Sequence, residues 1–190
     1  MSQVNMDDEV IEKTVEEKPD PLADLYGEKE IRKDLQIDKW DMYVFLMHHS
    51  YMSLSGVIGI LLSLFCIGKA ISDFAGGANE PTTGVFLFIG LWFLVINPIM
   101  MIGKAAMQVG TNPSLKKPIT YIFTEKGLIQ EQGEVKAGCR WEQVTKTVFM
   151  KRVWILYTGK LRGSILPVRQ IGEQAKELET LIRRQTGKKR

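Results

Sequence analysis

Two adjacent histidines, His48 and His49, are the only imidazoles in the chain, and imidazole is the side chain best suited to proton transfer or metal ligation near neutral pH. Successive residues on a helix point about 100° apart, so the pair does not converge on one ion from one face. Set in an uncharged run, they fit an anchor where a helix meets lipid headgroups. The carboxylates Glu125 and Glu142 come next, because general acid/base work needs such a pair. Their contexts read as structure: TEKG is a turn, and in WEQV the glutamate is the exposed point between an inward Trp141 and Val144. Cys66 and Cys139 lack a second cysteine or histidine at zinc-ligand spacing and read as small apolar residues. With no phosphate-binding glycine loop, HExxH or nucleophile elbow, the expectation is a non-enzyme without cofactor or metal.

Charge is the more informative chemistry. Residues 1–34 carry five Lys or Arg against eleven Asp or Glu, residues 35–103 two against four, and residues 104–190 eighteen against seven, so the formal net charge of +3 hides an acidic head and a basic tail. Such asymmetry suits contact with a polyanion. Lys146, Lys151 and Arg152 alternate with Phe149 and Trp154, and Lys188, Lys189 and Arg190 end the sequence; together they are the candidate surface for anionic lipid or a partner protein. No arrangement of stacking aromatics matches an RNA-binding motif, so nucleic acid is not expected.

The elements that must position these residues follow from hydropathy. Residues 42–68 and 81–103 hold no Asp, Glu, Lys or Arg, 27 and 23 residues respectively. Each exceeds the roughly 20 residues that cross a hydrocarbon core, and neither shows a polar face at helical spacing. The reading is a transmembrane α-helical hairpin, with spans at 51–72 and 83–104 joined by a loop rich in small residues. Arg32, Lys33 and Lys39 precede it and Lys104, Lys116 and Lys117 follow it, which by the positive-inside rule puts both termini in the cytoplasm. Ser55, Gly59 and Ser63 form a small-residue stripe for helix packing, within the hairpin or against another protein or a second copy. Asn97 precedes Pro98, which should bend the second span, and can hydrogen-bond across the hairpin.

Outside the hairpin, residues 1–28 are acidic with Pro19 and Pro21, and read as a disordered tail without a signal peptide. Residues 29–50 hold a short strand near Ile31 to Ile37 and an interfacial helix that Asp38 caps, with Asp41 in its first turn. From 114 to 187 the alternation becomes β-like, in PITYIF, in two runs about the turn at Gly133, and in three runs from Thr145 to Val168. Ile171, Ala175, Leu178, Leu181 and Ile182 then make an amphipathic stripe that ends near Gly187. The class is therefore α+β: a transmembrane hairpin followed by a small antiparallel β-sheet domain with one C-terminal amphipathic helix.

FTEKGL, WEQV, the LY of ILYTG and the ILPVR of SILPVR, followed by the final helix, resemble the YcxB-like family of bacterial membrane proteins. The resemblance covers roughly residues 30–185 and is best from Ile119 onward. It implies a bacterial cell-membrane location with two spans and a cytoplasmic domain comparable to pleckstrin-homology-like domains, and it carries no catalytic residues. The expected function is a membrane-anchored cytoplasmic module that binds anionic lipid headgroups of the inner leaflet or a partner protein. The alternative is a subunit or regulator of a larger membrane complex.

Overall fold

A computed structural model describes residues 22–77, 80–159 and 162–187. Strand β1 (Ile31–Leu35) leads to α1 (Lys39–Tyr51) and α2 (Leu54–Ala75), then to one rod made of α3 (Pro81–Leu91), a π-helical stretch Trp92–Ile96 and α4 (Asn97–Thr111). After the single turn α5 (Pro113–Lys116) come β2 (Ile119–Phe123), β3 (Gly127–Gln132), β4 (Val135–Arg140), β5 (Lys146–Phe149), β6 (Val153–Tyr157) and β7 (Gly163–Pro167). A turn α6 (Val168–Ile171) and helix α7 (Ala175–Thr186) complete the α+β fold.

Where one sheet was expected there are two, ordered β1-β2-β3-β4 and β5-β6-β7, all neighbours antiparallel. The chain leaves the first sheet through a 3-10 turn at Trp141–Gln143. Within the first sheet Leu35 pairs with Ile119 and Ile31 with Phe123, so the whole run from α1 to α5 is inserted at the turn of what would otherwise be a β1–β2 hairpin. The chain on either side of the helical hairpin is thus held at the same end of it.

Helix Leu54–Ala75 has 22 residues and the rod Pro81–Thr111 has 31, and only 22% and 11% of their most apolar windows are buried. At about 1.5 Å per residue both are long enough, and apolar enough, to cross a membrane. Leu61, Phe65, Phe88 and Trp92 stay exposed, unlike residues on a core helix. The two helices touch where small residues permit it: a Cβ on Gly90 would lie 2.4 Å from Ile67 and 3.0 Å from the Ser63 carbonyl, and one on Gly59 would lie 2.6 Å from the Phe93 ring.

The helix bounds differ from the expected spans for two local reasons. Ser53 caps α2, its Oγ accepting the Gly56 N–H at 3.1 Å, and Gly56 sits so close that a Cβ would come within 2.0 Å of the Ser50 carbonyl. At the other end the rod runs on past Lys104 because its last turns pack on α1, where Ala105 is fully buried with Met42. The π-helical stretch has its own logic. The Asn97 N–H bonds the Trp92 carbonyl, five residues back, and in that register the Phe93 carbonyl awaits an N–H that Pro98 lacks. The Tyr51 hydroxyl donates to it instead, at 2.6 Å, and Asn97 Nδ2 donates to Tyr51 Oη at 3.3 Å.

Three apolar clusters hold the molecule together. Tyr121, Phe123, Leu128, Trp154, Leu156 and Leu166 fill the space between the sheets, closed by Leu178 and Ile182 of α7. Val153, Ile155, Tyr157 and Ile165, on the other face of the three-stranded sheet, pack on Met42 and Phe45 of α1 and on Ala105 and Val109 of α4. The third corrects the reading of residues 22–28 as part of a disordered tail. Leu22, Leu25 and Tyr26 lie on Ile122 and Ile129, and Gly138 is bare because a Cβ would meet Leu25 at 2.6 Å. Burying these apolar groups offsets the entropy of ordering a short segment. Residues 1–21 lie outside the described residues.

Candidate functional site

The site is built around the joint between α1 and the three-stranded sheet. Asp38 caps α1, accepting the N–H of Trp40 at 2.8 Å and of Asp41 at 2.7 Å, and Asp41 Oδ2 accepts the Asp38 N–H in return at 3.1 Å. Two arginines from the far part of the sequence close on this cap. Arg169 Nη1 donates to both Asp41 carboxylate oxygens at 2.6 and 2.7 Å, and Arg152 Nη2 donates to Asp38 at 2.9 Å. Arg152 Nε also lies 3.0 Å from Asp41 Oδ1, an ionic contact without a hydrogen bond. Burial raises the pKa of the Asp38 carboxyl, but the Asp41 N–H and the two guanidinium groups outweigh it and hold Asp38 below the usual carboxylate range. The cluster bolts the N-terminus of α1 to the β5–β6 turn and to the start of α6.

This geometry separates the basic residues that the sequence grouped. Arg152 is engaged in the cluster and so belongs to the joint. Lys151, exposed in the same turn, stands beside the N-terminus of α1. Lys146 is at the opposite end of the β5–β6 hairpin, paired with Tyr157, where the C-terminus of α1 brings His48 and His49. From Asp38 to His48 is ten residues of helix, about 15 Å at 1.5 Å per residue. Phe149 and Trp154 do not stand out from the surface: Trp154 is buried, and Phe149 lies under the Arg183 guanidinium, 4.2 Å from its ring. Lys188, Lys189 and Arg190 lie outside the described residues, but Gly187, from which they continue, shares a groove with Lys146 and Thr145.

His48 and His49 flank Tyr157 rather than converging on an ion. His48 Nδ1 is 3.3 Å from Tyr157 Oη, and the His49, Phe45 and Tyr157 rings pack on one another in a triangle, with centroids 6.0–6.4 Å apart. Burial, and then the charges of Lys146 and His49, pull the His48 pKa below the usual imidazole value. Among the described residues no group of three or more His, Cys, Asp or Glu could hold a metal.

The remaining candidates are dispersed. Glu125 lines a groove with Lys29, Phe123 and Arg184 and pairs with Arg184 at 3.2 Å; Glu142, on the 3-10 turn, does not line it. The two carboxylates therefore do not share a cavity. Ser63 is buried and donates to the Gly59 carbonyl at 2.8 Å, Gly59 abuts Phe93, and Ser55 contacts Ser53 at 3.1 Å, so the stripe serves local and intrahairpin contacts. Asn97 bridges the hairpin through Tyr51. Sequence reasoning passed over Gly90, Tyr51 and Arg169 as site residues. Arg169 is the arginine of ILPVR, and no local feature announces that it reaches Asp41, 128 positions away.

The motif stretches make a structural knot. In FTEKGL, buried Thr124 Oγ accepts the N–H of Lys126 and Gly127 and donates to the Leu25 carbonyl at 2.8 Å, while Trp141 Nε1 donates to the Thr124 carbonyl at 3.0 Å. Gly127 is obligatory, since a Cβ would lie 2.4 Å from the Cys139 carbonyl. The family model described as YcxB-like protein matches residues 123–182, from the end of β2 into α7. No curated protein and no solved structure matches the chain.

Proposed function

We propose that the chain, which carries a YcxB-like domain over residues 123–182, is a membrane-anchored, non-enzymatic module whose domain meets anionic lipid headgroups at the cytoplasmic surface. The reading of a pleckstrin-homology-like domain is supported by a four-stranded sheet, a three-stranded sheet and a closing C-terminal helix, with the apolar hairpin inserted between the first two strands. The observation that carries the reading is the joint: the Asp38, Asp41, Arg152, Arg169 cluster and the outer face of β5–β6–β7 fix the domain on α1. Lys146 is thereby held beside the junction of α1 and α2, where the apolar span begins. A Lys at that level contributes about 1 kcal/mol toward an anionic leaflet. Lys151, about 15 Å farther out, exceeds the Debye length of about 8 Å at physiological salt and contributes a small fraction of that.

The test is energy transfer in nanodiscs. Trp40 and Trp92, both exposed, serve as donors to dansyl-labelled phosphatidylglycerol or dansyl-labelled phosphatidylcholine around the full-length chain. Enrichment of the anionic probe that weakens with added salt is the expected result; equal transfer to both probes at every salt concentration rejects the proposal. A second reading, a subunit of a larger membrane complex, is favoured by the groove of about 390 Å³ that Gly59, Ser63, Phe88 and Trp92 leave open on the lipid side of the hairpin. Co-purification in native membranes that is lost on substituting Phe88 and Trp92 would support it.

A further inference from the structure

The end of the domain nearest the hairpin is not a flat basic patch. Between the C-terminus of α1 and the β5–β6 hairpin lies a cavity of about 450 Å³, lined on its polar side by His48, His49, Ser53, Thr145, Lys146 and Tyr157. Its composition differs from that of two other charged clefts, the groove beside α7 and the one at the N-terminus of α1. In the groove beside α7, Lys29 pairs with Glu177 at 2.8 Å and Arg184 with Glu125 at 3.2 Å; beside α1's N-terminus, Arg169 is held by Asp41. Here no carboxylate lines the wall, and Lys146 has no ion-pair partner among the described residues. Thr145 Oγ1 donates to the Tyr157 carbonyl at 3.1 Å and Ser53 Oγ to the Ser50 carbonyl at 2.7 Å, so the donors left to face the space are the Lys146 ammonium and the imidazole N–H groups, a set without a competing carboxylate that suits a phosphate.

Depth selects the source of that phosphate. Ser53 is the N-cap of α2, and Met52, also in the wall, is exposed, as is Leu54, the first residue of α2. Below the polar wall the chain therefore becomes bare apolar helix at once. A ligand with an anionic head and a greasy tail satisfies both halves, whereas a free phosphate uses only the upper one. We infer that this cavity binds the phosphate of one anionic phospholipid, with Lys146 as its counter-charge, His48 and His49 as donors, and the acyl chains lying along Met52 and the start of α2.

The inference rests on the proposed function and narrows it from a diffuse field to one retained lipid, so its test must tell the two apart. The full-length chain is reconstituted in nanodiscs of phosphatidylcholine and phosphatidylglycerol, released into mild detergent, and bound lipids are counted by native mass spectrometry. The wild type should retain one phosphatidylglycerol. Lys146→Gln should reduce its occupancy about fivefold, the measure of one lost Lys contact, and His48→Asn/His49→Asn should reduce it as well. Lys151→Gln, at the far end of the hairpin, should change it less than twofold. Millimolar inorganic phosphate should leave the lipid in place. Equal losses from Lys146→Gln and Lys151→Gln, no loss from Lys146→Gln, or displacement by inorganic phosphate each overturns the site. Salt-sensitive enrichment by energy transfer without any retained lipid overturns the cavity and leaves the surface reading standing; absence of both removes both.

Discussion

Asp41 is where the joint between domain and hairpin can be broken most cleanly. Its side chain is 0% exposed, and it receives Arg169 at 2.6 Å and Arg152 at 3.0 Å. Removing one partner of a buried ion pair costs about 3–5 kcal/mol, because the remaining charge is stranded. The stranded arginines have side chains 40% and 41% exposed, which regain hydration from their open side, so the lower end applies. Loss of the reciprocal capping bond to the Asp38 N–H adds about 1 kcal/mol. Asp41→Ala should therefore cost about 4 kcal/mol. Asp38 is 40% exposed, its pairs are screened, and Asp38→Ala should cost chiefly its cap, about 1–1.5 kcal/mol. Trp141 and Trp154 are buried in the domain while Trp40 and Trp92 are already exposed, so the change in tryptophan emission during urea unfolding of the detergent-solubilised chain reports on the domain. A double-mutant cycle of Asp41→Ala with Arg169→Ala should return a coupling above about 1.5 kcal/mol, little affected by salt. A coupling below about 0.5 kcal/mol, or equal costs at Asp38 and Asp41, would refute the joint.

Gly90→Val puts a branched side chain where even a Cβ is 2.4 Å from Ile67, and should splay the hairpin at a cost of about 1–3 kcal/mol, seen as slower migration in mild detergent gels. Tyr51→Phe leaves the Phe93 carbonyl without its donor and should cost about 1 kcal/mol; in a Pro98→Ala background, which restores a backbone N–H, the same change should cost measurably less. Leu25→Ala uncovers Ile122 and Ile129 and should cost about 2 kcal/mol in the same urea assay. Because the His48 pKa is depressed in the folded chain, the unfolded chain binds more protons there, and stability in lipid-free detergent should fall as pH drops through and below the usual imidazole range; His48→Asn should flatten that slope.

The parts legible in the sequence were those fixed by local pattern. A run without charges reports its surroundings residue by residue, and alternation in ITYIF reports a strand, so the hairpin and most strands could be read directly. Contacts between distant segments leave no such trace. Arg152 beside Lys151 looks like one more surface cation until the fold brings Asp38 to it, 114 positions away. Two signals were nevertheless present. Leu22, Leu25 and Tyr26 are an apolar cluster inside the acidic head, which only burial explains. VWILY, buried at all five positions, is continuous rather than alternating, the mark of a strand covered on both faces. The second cover is the helical pair α1 and α4, and this bears on how the molecule works. A domain tethered by a loose linker would present every face to the bilayer in turn, averaging its charges. Here β1 enters the sheet before the hairpin and β2 after it, so Ile31 and Leu35 build the domain core only if both ends of the hairpin are held together. Residues that fold the domain thereby also set its bearing on the helical hairpin.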